Sequence, residues 1–329
     1  MVVGAAKNAL TGETLVLYKE DDSNEVLAMP ESVWKPMMEY IEKYEDSTRL
    51  NKETSKEDTT KRINRFYNNY IELFGMISEY LFEVTPSNIT KEQLAEYDHS
   101  ELLNSMNKLC IVFFSTIQDY QFMPNVIGFN NPERRESFRK ILFDFDHLKI
   151  LENYDEESLF ESFCDAFPVK NKESRSNSWR RYAKGILSIC SYLTRFKNIQ
   201  EFNEYCSGFH GDITLPDEMS REIIGMGFPL ACNLIKDIGF NDYCKPDVHL
   251  KDVLAGTGYC NDDDRSVFDC VRAIASANDI NAHAVDSRIW LICSGYYYKH
   301  NVSIPSHKKE LIEKINEMNN NQGRDMIWI

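Results

Sequence analysis

Between residues 223 and 254 the chain reads IIGMGFPLACNLIKDIGFNDYCKPDVHLKDVL, and three positions in it could do chemistry together. Gly225 and Gly227 flank Met226. Glycine admits backbone dihedrals closed to other residues and lets another molecule come against the main chain. Free amides opening the helix that follows favour an anion, with phosphate the obvious candidate. Asp247, between Pro246 and Val248, comes twenty residues after Gly227. A carboxylate can stabilise a developing positive charge, or orient and deprotonate a nucleophile. Each feature also has a plainer reading. A Gly-x-Gly pair makes a simple turn between helices, and an aspartate before VHLKDVL is a good helix N-cap.

The elements needed to hold these residues are legible nearby. REIIGMGFPLACNLIKDIG reads as a helix end, a tight hairpin and a second helix. Pro229 is tolerated in the first turn, where its missing N–H had no partner, and Gly239 is a natural C-cap. Upstream, residues 14–29 predict two short strands around the polar EDDSN turn, a β-hairpin. The charge-dense stretch from Glu45 to Arg62 reads as solvated helix or loop. Ile63, Phe66, Tyr67, Tyr70, Ile71, Phe74, Ile77 and Leu81 recur at helical spacing and predict an amphipathic helix. LLNSMNKLCIVFFSTIQDYQFM predicts a buried helix, and DHLKILENYDEESLFESFCDAF short helical pieces. SWRRYAKGILSICSYLTRF predicts a helix capped by Ser178, with Trp179, Tyr182, Ile186 and Cys190 near one face. Short helices with few strands imply a mainly α fold.

Composition sets outer bounds. A chain of 329 residues with 43% hydrophobic content can bury a real core. Residues 1–30 lack a secretory pattern, and no apolar run approaches the ~18 residues of a membrane span, so a cytoplasmic or nucleoid-associated protein with no membrane partner is expected. Nine scattered cysteines without a C-x2-C pair predict reduced core thiols and no zinc or iron–sulfur site; no metal or other cofactor is expected. A net charge of −15 argues against non-specific affinity for nucleic acid. Residues 171–200 are the exception, with Lys172, Arg175, Arg180, Arg181, Lys184, Arg195 and Lys197 against a single Glu173.

The pattern Ile224-Gly225-Met226-Gly227-Phe228-Pro229-Leu230-Ala231 resembles the helix-hairpin-helix DNA-binding motif. With Pro246-Asp247-Val248-His249-Leu250 behind it at the separation that family uses, the segment resembles the helix-hairpin-helix DNA glycosylases that include endonuclease III. The likeness covers about residues 178–255, and more loosely 105–295. It implies a helix-hairpin-helix glycosylase fold over 101–329, preceded by a 1–100 extension of hairpin plus helices. It implies an enzyme that flips a nucleotide out of double-stranded DNA and breaks its N-glycosidic bond, with Asp247 as the catalytic carboxylate.

The resemblance further implies that Gly225, Met226, Gly227, Phe228 and Leu230 contact DNA, with Arg180, Arg181 and Lys184 adding phosphate contacts. Gln118, Tyr120, Gln121 and Trp179 become candidates for the base pocket or for filling the gap in the duplex. A solvated helix face for the cations, core packing for Trp179 and ordinary helix-end polarity for the glutamines are the alternatives. Asp286 in HAVDSRIWLI imitates the aspartate motif but follows no glycine hairpin, which favours a cap or structural hydrogen bond. Bifunctional relatives carry a lysine where this chain has Pro229, so a monofunctional, monomeric glycosylase is expected, although Lys236 or Lys245 could still reach the site. The substrate would be a damaged base or a hypermodified base of foreign, for example phage, DNA. A non-catalytic DNA-binding module is the alternative.

Overall fold

The computed structural model describes residues 2–7, 14–19, 26–30, 56–119 and 123–321, with side chains described from Asn68 onward. The chain is mainly helical and divides into two compact units. One comprises residues 1–98 with 248–329; the other comprises 99–247.

The first unit begins with β1 (Val2–Lys7), β2 (Thr14–Lys19) and β3 (Val26–Pro30), an antiparallel sheet in the order β1-β2-β3. The expected hairpin is β2 with β3, registered Leu15 to Pro30 through Lys19 to Val26. The pairing of β1 with β2 extends it by a strand that the sequence reading did not assign. Helix α1 (Lys56–Val84) takes in the C-terminal part of the charge-dense stretch. Its Leu73, Phe74, Ile77, Tyr80 and Leu81 are buried at the anticipated helical spacing, whereas Ile71 is exposed. Ile63, Phe66 and Tyr67 lie outside the residues whose side chains are described. Helix α2 (Lys91–Ala95) starts with a capping box made by Thr90 and Gln93.

The second unit runs through α3 (Met106–Gln118), α4 (Met123–Ile127), α5 (Pro132–Ile141), α6 (His147–Asn153), α7 (Glu156–Ala166), α8 (Ser178–Leu193), α9 (Ile199–Ser207), α10 (Thr214–Glu222) and α11 (Phe228–Asp237). Helix α8 is its spine and packs against α3, α4, α6 and α7. Trp179, Tyr182, Ile186 and Cys190 are all buried along its inner face, as their spacing predicts. The Tyr182 hydroxyl donates to the Phe114 carbonyl of α3 at 3.0 Å. The cap is Asn177, one residue before the expected Ser178, because its side chain accepts the Trp179 N–H at 2.8 Å.

The C-terminal part of the first unit adds α12 (Val248–Leu250), which runs into a π-helical turn at Lys251–Ala255, then α13 (Asp264–Ala277), α14 (Ala282–Ser294) and α15 (Lys308–Asn321). Between α14 and α15 lies a two-stranded β4–β5 pairing at Tyr296–Tyr297 and Val302–Ser303. Helix α1 packs on α13, α14 and α15, so residues 56–98 share a body with 248–321. The compact units therefore differ from the expected division into 1–100 and 101–329. The apolar face of α1 needs a partner, and the chain supplies it from beyond residue 248. Within this unit Arg288 of α14 pairs with Asp98 at 2.6 Å and donates to Ser78 at 2.9 Å.

Candidate functional site

The hairpin of the second unit is built as its sequence implies. Helix α10 ends at Glu222, and the Met226 N–H closes a turn onto the Ile223 carbonyl at 3.2 Å. Gly225 has φ +87, a region other residues rarely adopt. Gly227 then takes an extended conformation, φ −83 and ψ 167, as N-cap of α11, with Pro229 in the first turn. Gly239, at φ +108, follows the C-cap Ile238; a Cβ there would come within 2.5 Å of the Leu102 amide nitrogen.

The two hairpin glycines differ from Gly239 in having no crowding to relieve. A Cβ on Gly225 meets nothing within 4 Å, and one on Gly227 meets only Pro229 Cδ at 4.0 Å. Gly225 is required by its dihedral; Gly227 is required by neither dihedral nor packing. The main chain here is open to a group arriving from outside, and a glycine N-cap contributes no side chain to its own first turn.

Three contacts hold the hairpin. Met226 is buried, so only its backbone is on offer, while Phe228 and Leu230 are half-buried and Ile224 is exposed. The Ile224 N–H donates to Ser188 Oγ at 2.9 Å, and that hydroxyl donates to the Gly185 carbonyl at 2.8 Å. Gly185 allows the approach, since a Cβ on it would stand 3.0 Å from the Ile224 carbonyl oxygen and 2.7 Å from Ile117 Cδ1. Ser188 and Gly185 were not singled out from the sequence. Their signal was a pair of small residues three apart in a helix otherwise rich in bulky ones.

Helix α10 is anchored through Glu218. Its carboxylate accepts from Tyr205 at 2.6 Å, Arg195 at 2.7 Å and Tyr192 at 3.1 Å, joining α8, α9 and α10. Burial pushes this carboxyl pKa up, but the three donors and the Arg195 charge outweigh it and leave it below the ordinary glutamate value.

Asp247 is the last residue of the second unit. It ends an extended segment in which Tyr243, Cys244 and Pro246 are buried and the Tyr243 hydroxyl donates to the Asp212 carbonyl at 3.1 Å. The Asp247 N–H turns back onto the Lys245 carbonyl at 2.7 Å, and the residue is half-buried directly before α12. A carboxylate on a stiff, partly desolvated segment is well placed to act on developing charge. Of the lysines considered for lyase chemistry, Lys236 is buried in α11 and Lys245 is half-buried.

Other expectations are revised. Trp179 is 3% exposed and stacks on Phe167, with ring centroids 4.7 Å apart and planes at 18°; it is a core residue, because its face of α8 is the buried one. Gln118 is buried as well, its Oε1 accepting the Phe129 N–H at 2.9 Å, which ties the end of α3 to the loop before α5. It also borders a cavity in this unit. Tyr120 and Gln121 lie outside the described residues.

Among the cations, Arg180 pairs with Glu157 and lies over the Phe160 ring at 4.0 Å, while Lys184 pairs with Glu156 at 3.2 Å. Helix α7 thus answers part of the positive charge of α8, and neither side chain is held out for phosphate. Arg181 is exposed. Asp286 sits inside α14 and is buried; the cap of that helix is Asn281.

Seven of the nine cysteines are buried, and all nine are free thiols. Among the described residues no three His, Cys, Asp or Glu side chains converge as a metal site, and no helix is long and apolar enough to cross a membrane. Compared with protein-family models, curated proteins and solved structures, the chain matches none.

Proposed function

We propose that the chain is a monofunctional DNA glycosylase acting on double-stranded DNA that carries a damaged or modified base. The observation that carries this reading is the pairing of a hairpin whose Gly227 has no steric or dihedral reason to be glycine with a half-buried Asp247 twenty residues on. In this reading the hairpin backbone takes a DNA phosphate and exposed Arg181 adds a cation nearby on the same unit. Asp247 faces the sugar of the extruded nucleotide, stabilises its oxocarbenium-like transition state and takes a proton from the attacking water. Pro229 stands where bifunctional relatives carry an amine, so the product is an abasic site with the strand intact.

The test is mass spectrometry of bases released from duplexes carrying alkylated, oxidised, deaminated and naturally hypermodified bases. Wild-type protein is expected to release at least one, and Asp247→Asn to release none while binding the same duplex at least as tightly. Release that survives Asp247→Asn overturns the assignment of this residue. Binding without release from any duplex favours a non-catalytic helix-hairpin-helix module.

A further inference from the structure

Besides the hairpin and Asp247, the second unit contains a cavity of about 340 Å³ bordered by Gln118, Asp119, Asn125, Gly128, Asn130 and Arg134 among others. That is within the size range of small-ligand sites, which start at roughly 300 Å³, and is ample for one nucleobase. Its walls are held in place by hydrogen bonds. Gln118 is fixed by Phe129, and Asn130 exchanges hydrogen bonds with Ser115 at 3.0 and 2.8 Å. Arg134 Nη1 donates to the carbonyls of Val126 and Ile127 at 2.8 and 2.7 Å, which orients the guanidinium at the end of α4. Gly128, at φ +61, turns the chain beside it.

Asp119 follows directly on α3 and borders this space. Solvent reaches its carboxyl, yet the surrounding protein raises its pKa by desolvation, while the Lys245 charge opposes the rise. Lys245 is also the residue whose carbonyl accepts the Asp247 N–H at 2.7 Å. One residue therefore connects the field at Asp119 with the segment that carries Asp247. The other charged or titratable groups around Asp119 are Arg134 across the cavity and the Tyr182 hydroxyl of α8, which is fully buried and feels the Asp119 charge.

We propose that this cavity receives the extruded base, and that Asp119 is the acid facing it, acting opposite Asp247 in a two-carboxylate hydrolysis. The proposal rests on the glycosylase reading. An amide-lined site with one acid and one guanidinium presents donors and acceptors together. This suits the edge of a neutral heteroaromatic ring, whereas a phosphate would meet the Asp119 carboxyl. In the reaction the C1′–N bond breaks and its electron pair passes to the ring nitrogen of the base, which takes the Asp119 proton. Water oxygen bonds to C1′, and the water proton passes to Asp247. One water is consumed, and both carboxyls re-equilibrate with solvent. Two carboxyls whose surroundings set different protonation states are the arrangement that divides acid from base work.

The test has two arms. In the binding arm, free adenine, 3-methyladenine, 8-oxoguanine and uracil are titrated into the full-length protein and followed by ligand-observed NMR. At least one is expected to bind wild type and Asp247→Asn, and to bind Asn125→Leu, which fills the cavity, at least tenfold more weakly. In the release arm, single-turnover base release by Asp119→Asn is expected to fall at least about a hundredfold, the scale of a lost general acid. Wild-type release should decline as rising pH deprotonates Asp119, a limb missing from the variant.

Failure of all four bases to bind, or binding indifferent to Asn125→Leu, overturns the cavity assignment whether or not wild type releases a base. Full-rate release by Asp119→Asn overturns the acid role. If wild type releases no base from any duplex, the glycosylase reading and the acid role fall together, and the binding arm alone decides the cavity.

Discussion

The amide of Ile224 and the hydroxyl of Ser188 lie 2.9 Å apart and join the hairpin to the middle of α8. Because Ser188 also donates to the Gly185 carbonyl, one side chain satisfies a loop donor and a helix acceptor at once. Ser188→Ala should therefore cost about 1 kcal/mol, the usual net worth of such a bond, and lower Tm by roughly 2–4 °C. If the hairpin grips phosphate, the same change should weaken duplex binding several-fold, since the backbone amides would no longer be held in place. Thermal melts and fluorescence anisotropy on one preparation separate the two effects. Unchanged affinity in a measurably destabilised variant would mean that the hairpin is not the contact.

Gly225 and Gly227 should respond to substitution in opposite ways. Gly225→Ala forces a side chain to φ +87 and should destabilise the fold by about 1–2 kcal/mol, even though the space around it is open. Gly227→Ser keeps an ordinary dihedral and supplies a preferred N-cap, so stability should hold or rise by a few tenths of a kcal/mol. The hydroxymethyl group would nevertheless stand where an incoming phosphate must approach. Duplex affinity is expected to drop at least tenfold in this well-folded variant. A Gly227→Ser protein that binds DNA like wild type would return the hairpin to a simple turn.

Glu218 supplies the pH dependence. Its pKa lies below the ordinary glutamate value despite burial, through Tyr205, Arg195 and Tyr192. The stabilisation is therefore present above the unfolded-state value, about 4.3, and is lost as pH falls through the lower folded value. Glu218→Gln should lower Tm at pH 7, and the difference from wild type should shrink as the pH is taken from 5 towards 3. Parallel Tm curves across that range would show that the carboxylate contributes nothing by its charge.

Features governed by neighbours a few residues away were legible in the sequence. The helix, hairpin and helix around Gly225, Pro229 in the first turn of α11 and Gly239 after its last one follow from local backbone rules, and the structure shows each of them. The apolar spacing of α8 likewise marked its buried face. Distant partners were not legible. The stack of Trp179 on Phe167 and the grip of Gln118 on the Phe129 amide depend on chain reversals that helical periodicity does not encode. The packing of α1 against helices beyond residue 248 is the same problem at larger separation. For Asp247, the sequence offered a separation from Gly227, and the structure adds the tight turn onto Lys245 and the buried residues behind it.

The basic stretch shows how such a misreading arises, and it leads to a sharp prediction. Between residues 171 and 200 the cations almost stand alone, but Glu156 and Glu157 lie on α7 just outside that window and pair with Lys184 and Arg180. Arg180 also rests on Phe160, so Arg180→Ala should act mainly on packing, lowering Tm while leaving the salt dependence of duplex binding unchanged. Arg181, exposed on the next position of the helix, should behave in the opposite way. Arg181→Ala should leave Tm within experimental scatter and reduce the slope of log affinity against log salt by about 0.9, the contribution of one phosphate contact. Measuring duplex affinity for both variants between 50 and 200 mM salt, a range over which phosphate contacts weaken by orders of magnitude, distinguishes the two residues. A slope that falls for Arg180→Ala and not for Arg181→Ala would mean that the Glu157 pair opens on binding and that Arg180 is the phosphate ligand.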